Sequence, residues 1–345
     1  MPVARVVARL CGVQTQVASS AELAVRVRRK ASRPGEIGRA LSEGRLIKTW
    51  AMRGALHLLS PEEGGAFLSL LAADRLWASW QRYFGMTTKQ MDVLRRAIRN
   101  ALEGEPRTRL ELAEAVSAQR GLGPVGEAIR SGWGELLKPL AWHGDLCFGP
   151  SRGTRVTFTL PEAAGSRWAG VPDAEKAAPV ALAAYFRAYG PADLEALRAW
   201  LAGSVDKRQL RTWFGAFGDQ LAEVEVDGEP AYVLAEDLDE LASTRSTRAV
   251  RLLPGFDQYV LGPGTADGHV VPAARRAAVS RQSGHISPVV VAGGAVCGTW
   301  KLDRDRVCVA WFEETGRPPR KALEEEVARL SSILDRELES AISLA

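Results

Sequence analysis

The chain has 345 residues, 46% of them hydrophobic and 25% charged, with four cysteines and a net charge of +4. That length exceeds what one hydrophobic core serves, so two to four packed units are expected. The most apolar stretch, residues 288–296, is short and broken by glycine, which excludes the roughly 20-residue span of a membrane helix.

No secretory signal is read in the first residues, so a soluble cytoplasmic protein is expected. Cys11, Cys147, Cys297 and Cys308 lie far apart without a C-x-x-C pair, which argues against a zinc site or a disulfide framework. The modest net charge hides an asymmetry. Through residue 170 there are 25 Lys and Arg against 15 Asp and Glu, and the remainder carries 20 against 26. Basic clusters at Arg26, Arg28, Arg29, Lys30, Arg33 and Arg39 and at Arg95, Arg96, Arg99, Arg107 and Arg109 fit solvated helix faces. Two such clusters in one half also point to a phosphate-backbone partner.

In chain order, Gly12-Val13-Gln14-Thr15-Gln16 comes first. Side chains two apart share one face of an extended strand, whereas on a helix they diverge by roughly 200°. A strand is therefore expected, with both amides on one face, able to hold one water. A weak repeat follows, in which a helix ends at glycine, a leucine comes next, and a hairpin is expected. Its first copy is Glu36 to Leu46, leading into a strand carrying Trp50 and Arg53. In the second, Trp133 to His143 reads as helix, and Cys147-Phe148 pairs with Val156-Thr157-Phe158 around Ser151-Arg152-Gly153-Thr154. The third has a helix over Lys207 to Phe217 and a hairpin of Val224 to Val226 with Tyr232 to Leu234, turned at Asp227-Gly228.

Thr108-Arg109-Leu110-Glu111 has the capping-box pattern, and Pro191-Ala192-Asp193-Leu194 opens another helix. Helix, turn, helix and hairpin make the winged-helix unit, which lays one helix in a duplex groove or serves as a protein-interaction module. The last third holds glycine-punctuated β-like runs at Leu252–Asp257, Pro288–Lys301 and Val307–Phe312, suggesting a small sheet or barrel. A final amphipathic helix is predicted from about Lys321, with Leu323, Val327, Leu330, Ile333, Leu334, Leu338 and Ile342 on its apolar face.

Gly12-Val13-Gln14-Thr15-Gln16, the run Leu46-Ile47-Lys48-Thr49-Trp50-Ala51-Met52-Arg53-Gly54-Ala55-Leu56-His57-Leu58, then Leu252-Leu253-Pro254-Gly255-Phe256-Asp257 and Gly298-Thr299-Trp300 together resemble the winged-helix DNA glycosylases of the AlkZ and YcaQ family. Their order covers essentially the whole chain. The resemblance implies an α+β fold with tandem winged-helix units in a C-shaped scaffold around a basic channel, and a C-terminal β-rich domain. The segments are read as winged helices over 1–85, 86–165 and 171–236 and a β-rich domain with a C-terminal helix over 237–345. The Gln-x-Gln form is that of the AlkZ-like branch. Its middle residue here is Thr15, where the family usually has an apolar one.

The resemblance implies that Gln14 and Gln16 are catalytic and that alkylated purines in double-stranded DNA, including bulky adducts and interstrand cross-links, are the substrate. A guanine alkylated at ring nitrogen 7, or an adenine alkylated at ring nitrogen 3, is cationic and leaves readily, so an enzyme need only position water and stabilise charge. Two neutral amides suit that task and are poor general bases. Candidate DNA contacts are Lys48, Arg53 and His57 on the first wing and Arg152 and Arg155 on the second. Arg53 and His57 are expected on the same side of one strand. His57 fits a core histidine equally well, and Arg152 and Arg155 fit a solvent-facing role. Trp77 and Trp80 are read as packing residues and Asp257 as a turn cap. No metal, phosphate loop or nucleotide cofactor is expected, and a monomer without a membrane partner is. The rival readings are a non-enzymatic winged-helix regulator, ordinarily a dimer on a two-fold site, and a protein-interaction scaffold.

Overall fold

The computed structural model describes residues 1–72, 82–131, 134–281 and 284–345. Trp77 and Trp80, and Trp133 at the start of the expected second-repeat helix, lie outside the described residues. The fold is mixed α/β in two units, a larger one of Pro2–Gly12 with Ile37–Leu234 and a smaller one of Met1, Val13–Glu36 and Ala235–Ala345. Residues 13–36 group with the C-terminal part of the chain.

Helices of the larger unit begin where the sequence supplies a cap. Thr87 with Gln90 and Thr108 with Glu111 form capping boxes on Thr88–Leu102 and Arg109–Ser117. Asp193 and Asp206 cap Leu194–Trp200 and Lys207–Phe217, the latter spanning the expected range. The expected hairpins are present. Five strands of this unit share one sheet, in the order Leu56–Leu59, Ile47–Trp50, Cys147–Phe148, Thr157–Thr159 and Arg107–Thr108. The first two hairpins are thus joined edge to edge, through Lys48 opposite Phe148. Trp50 sits at that junction, its ring 4.6 Å from Phe148 and 6.0 Å from Phe158. The third hairpin, Leu221–Val226 with Glu229–Leu234, stands apart as its own two-stranded sheet. Its turn residues Asp227 and Gly228 have φ of 51° and 85°, the pair of left-handed conformations that a tight hairpin turn requires. A second core, around Phe67, Tyr185, Trp200 and Trp213, is built largely by the helices Pro61–Ala72, Ala174–Tyr189, Leu194–Trp200 and Lys207–Phe217.

The smaller unit is organised on an open five-stranded sheet in the order Glu339–Leu344, Arg306–Trp311, Ala295–Asp303, Val289–Ala292 and Val250–Leu253. Only the first pair is parallel. The runs that carried the family resemblance meet here, where the Trp300 indole N–H donates to the Leu253 carbonyl at 2.8 Å. Gly298 is required by close strand approach, since a Cβ there would lie 2.5 Å from the Ala310 carbonyl oxygen. The helix Arg320–Leu334 buries Leu323, Val327, Leu330 and Ile333 as expected, but Leu338 and Ile342 are not on it. Asp335, at φ 53° and ψ 52°, ends the helix in the left-handed conformation, and the chain returns as the edge strand Glu339–Leu344.

Candidate functional site

Gln14, Thr15 and Gln16 lie in the segment Val13–Glu36 of the smaller unit. Only Val13 and Gln14 form a strand. Gln16 sits in the bend before the helix Ala18–Arg26, so the expected strand carrying both amides on one face is not formed. Gln14 is 8% exposed and Thr15 6%, while Gln16 is exposed.

Upstream, the helix Val3–Arg9 ends at Leu10, and Cys11 and Gly12 follow with φ of 54° and 96°. The turn is tightly enclosed. A Cβ on Gly12 would lie 2.8 Å from Leu59 Cδ2 and 3.1 Å from Met52 Cε. The Tyr189 hydroxyl, at the end of Ala174–Tyr189, donates to the Leu10 carbonyl. Sequence reading missed Tyr189, because a tyrosine closing an amphipathic helix carries no mark of what its hydroxyl meets. Glu63 was missed too. Burial raises its carboxyl above the usual range, opposed by Arg187, and its charge in turn adds to the burial that keeps Cys11 protonated.

Downstream, the helix Ala18–Arg26 and its exit are held within the smaller unit. Arg28 forms a bidentate pair with Asp257, at 2.7 and 2.8 Å, and the Asp257 carboxylate also accepts the Tyr259 N–H at 2.8 Å. Arg26 donates to the Ile333 carbonyl, and Arg329 to that of Val27 at 3.0 Å. Asp257 is therefore the expected cap and, in addition, half of an ion pair.

The first wing departs from expectation. Arg53 and His57 do not share a strand, because the tip Met52–Gly54 is a 3-10 turn in which Arg53 adopts φ 57°. His57 is on Leu56–Leu59, fully buried, its Nδ1–H donating to the Ala55 carbonyl at 3.0 Å. Burial first, and the Arg53 charge second, push its pKa down to about 3, so the ring is neutral. A ring with no exposed surface has no path to a phosphate, and the expected DNA contact of His57 is withdrawn on that ground. Arg53 is partly exposed and near Tyr189 and Tyr185, whose influence opposes the lowering of its pKa by desolvation. Lys48 is also half-buried, its ammonium 5.4 Å from the Phe148 ring centre.

At the second wing, Arg152 and Arg155 bracket the turn with mutual backbone hydrogen bonds and both are exposed. Arg152 pairs with Glu111 at 2.9 Å, which spends part of its charge inside the protein. Much of the basic clustering is spent the same way. Arg28 pairs with Asp257, Arg29 with Glu36, Arg95 with Asp145 and Arg99 with Glu162. Lys30, Arg33, Arg39 and Arg96 remain exposed.

Comparison with known proteins identifies this arrangement. The family model described as DNA glycosylase AlkZ-like matches residues 7–333. An interstrand DNA cross-link repair glycosylase of Streptomyces sahachiroi is 47% identical over 330 residues, covering 94% of this chain and 89% of that protein. The solved structure of Streptomyces sahachiroi DNA glycosylase AlkZ superposes with a TM-score of 0.95 at 45% identity, covering 99% of this chain and 94% of that one. A non-enzymatic regulator is not favoured by these similarities. The chain belongs to the AlkZ-like DNA glycosylase family and is a hydrolase acting on the N-glycosidic bonds of DNA.

Proposed function

We infer that the substrate is duplex DNA carrying alkylated, cationic purines, bulky adducts and interstrand cross-links included, and that Gln14 and Gln16 position the attacking water. The observation that carries this reading is the similarity, over 94% of the chain, to a relative named for interstrand DNA cross-link repair. A guanine alkylated at ring nitrogen 7 leaves with the electron pair of the broken glycosidic bond, which neutralises its positive charge, so no acid need protonate it. The water oxygen bonds to the sugar carbon and its proton passes to solvent. Amide oxygens of Gln14 and Gln16 accept the water's hydrogens and hold its lone pair toward that carbon. The near-burial of Gln14 supports its role as a fixed anchor for that water, and the exposure of Gln16 leaves its amide open to reach the same water from the solvent side.

The same similarity supports reading the three helix-and-hairpin segments as tandem winged helices. Lys48, Arg53, Arg152 and Arg155 are the proposed backbone contacts. The enzyme is proposed to work as a monomer in the cytoplasm without a cofactor; no helix among the described residues is long and apolar enough to cross a membrane. Incubation with duplex containing one N7-alkylguanine, followed by assay for abasic sites, tests the reading. Abasic sites at the modified guanine alone are expected, and their absence contradicts it.

A further inference from the structure

Directly before Gln14 the chain makes a turn whose conformation is enforced by its surroundings. Cys11 is a non-glycine residue in the left-handed region, a conformation that persists where the surroundings over-determine it. Those surroundings are on two sides. One is the first hairpin, whose Leu59 and Met52 leave no room for a Cβ on Gly12. The other is Tyr189. The Leu10 carbonyl lies at the C-terminal end of Val3–Arg9, where helix carbonyls lack an intrahelical donor, and the Tyr189 hydroxyl supplies one. Tyr189 is itself seated by ring contact with Tyr185, 5.5 Å between centres, and Tyr185 is fully buried. The chain then runs from Leu10 through two left-handed residues directly into Val13 and Gln14.

We propose that Tyr189 is a positioning residue for the glycosylase reaction, acting through the Leu10 carbonyl and the Cys11–Gly12 turn to hold Gln14 in place; this rests on the reading of Gln14 as a water-positioning group. A displacement of a catalytic group by a fraction of an ångström to an ångström costs about ten- to a hundredfold in rate. Removing one hydroxyl while keeping the ring leaves the tyrosine packing intact.

The experiment is a double-mutant cycle of Tyr189→Phe and Gln14→Ala, read by single-turnover excision of N7-methylguanine from a duplex, with duplex affinity and thermal melting measured on each variant. Tyr189→Phe is expected to lower the excision rate about tenfold or more, with duplex affinity unchanged, and to have little further effect in the Gln14→Ala background. A wild-type rate in Tyr189→Phe overturns the proposal, as does an equal fold-loss in both backgrounds, which is what general loosening of the fold would give. Should Tyr189→Phe melt early, the cycle is read well below its melting temperature, where non-additivity in the folded protein is still expected and additive loss overturns the proposal. A wild-type rate in Gln14→Ala alone removes the glutamine reading itself, an outcome distinct from failure at Tyr189.

Discussion

Arg28 and Asp257, remote in sequence, meet in a two-toothed ion pair at 2.7 and 2.8 Å that ties the segment after the motif helix to the turn opening Gln258–Leu261. The Asp257 side chain is fully buried and that of Arg28 is 22% exposed, so loss of either partner strands a charge in a poorly hydrated place. Asp257→Ala is expected to destabilise the protein by about 2–4 kcal/mol, short of the largest buried-pair losses because Arg28 retains some water. Denaturant unfolding measures this. The excision rate of the folded fraction should stay near that of the parent, since Asp257 is placed in the scaffold; a rate loss of a thousandfold in folded protein would make it catalytic.

Substitution of the motif separates chemistry from binding. Gln14→Ala and Gln16→Ala are each expected to lower single-turnover excision of N7-alkylguanine by about ten- to a thousandfold, the usual range for lost positioning and electrostatic contributions. Duplex affinity, measured by fluorescence anisotropy, should be nearly unchanged. Full activity in the double variant would exclude the motif as the site of chemistry.

Salt dependence distinguishes the wing residues from one another. Neutralising a phosphate contributes a slope of about −0.9 in log affinity against log salt. Arg155→Ala should weaken binding to undamaged duplex and make the slope shallower by about that amount. Arg152→Ala should do less, because Arg152 already pairs with Glu111. His57→Gln should leave the slope unchanged, its ring being fully buried.

Acid stability reports the state of His57. Its folded pKa of about 3 lies below the ordinary 6.5, so unfolding takes up a proton below pH 6.5. Stability from this group is complete above pH 6.5 and falls as the pH drops toward 3, with about 2 kcal/mol lost at pH 5. His143, pushed down to about 4 by burial and then by Arg95, adds a loss of the same sign. The stability difference between pH 7 and pH 5, from urea unfolding, should shrink by about 2 kcal/mol in His57→Gln. An unchanged difference would mean that the ring is protonated in the folded state.

What the sequence reveals here is local. The Thr108 to Glu111 capping box, the Asp227-Gly228 turn and the Lys207–Phe217 helix are set by near neighbours, and all three are present as read. The pairing of Ile47–Trp50 with Cys147–Phe148 depends on partners far apart in the chain, which no local pattern specifies. Leu338 and Ile342 satisfy helical spacing as well as strand alternation, and only the left-handed Asp335 decides between them. Charge is the least legible property. Arg28 and Arg155 look alike in sequence, yet one closes on a buried carboxylate and the other stands exposed at a hairpin tip. At the site itself, the motif gives the residue types but not the switch from strand to bend that buries Gln14 and exposes Gln16.

In the proposed mechanism two neutral amides suffice because the lesion arrives already charged. Opening the imidazolium ring of an N7-alkylguanine to its formamidopyrimidine removes that charge while keeping the adduct's bulk. Single-turnover excision should then be compared on duplexes that differ only in that ring. A drop of about a hundredfold or more on the ring-opened form is the expected result, as for a leaving group deprived of its electrostatic advantage. Equal rates on the two forms would contradict the account, because another residue would then have to supply acid catalysis, and His57, buried and held at about pKa 3, is not placed to do so.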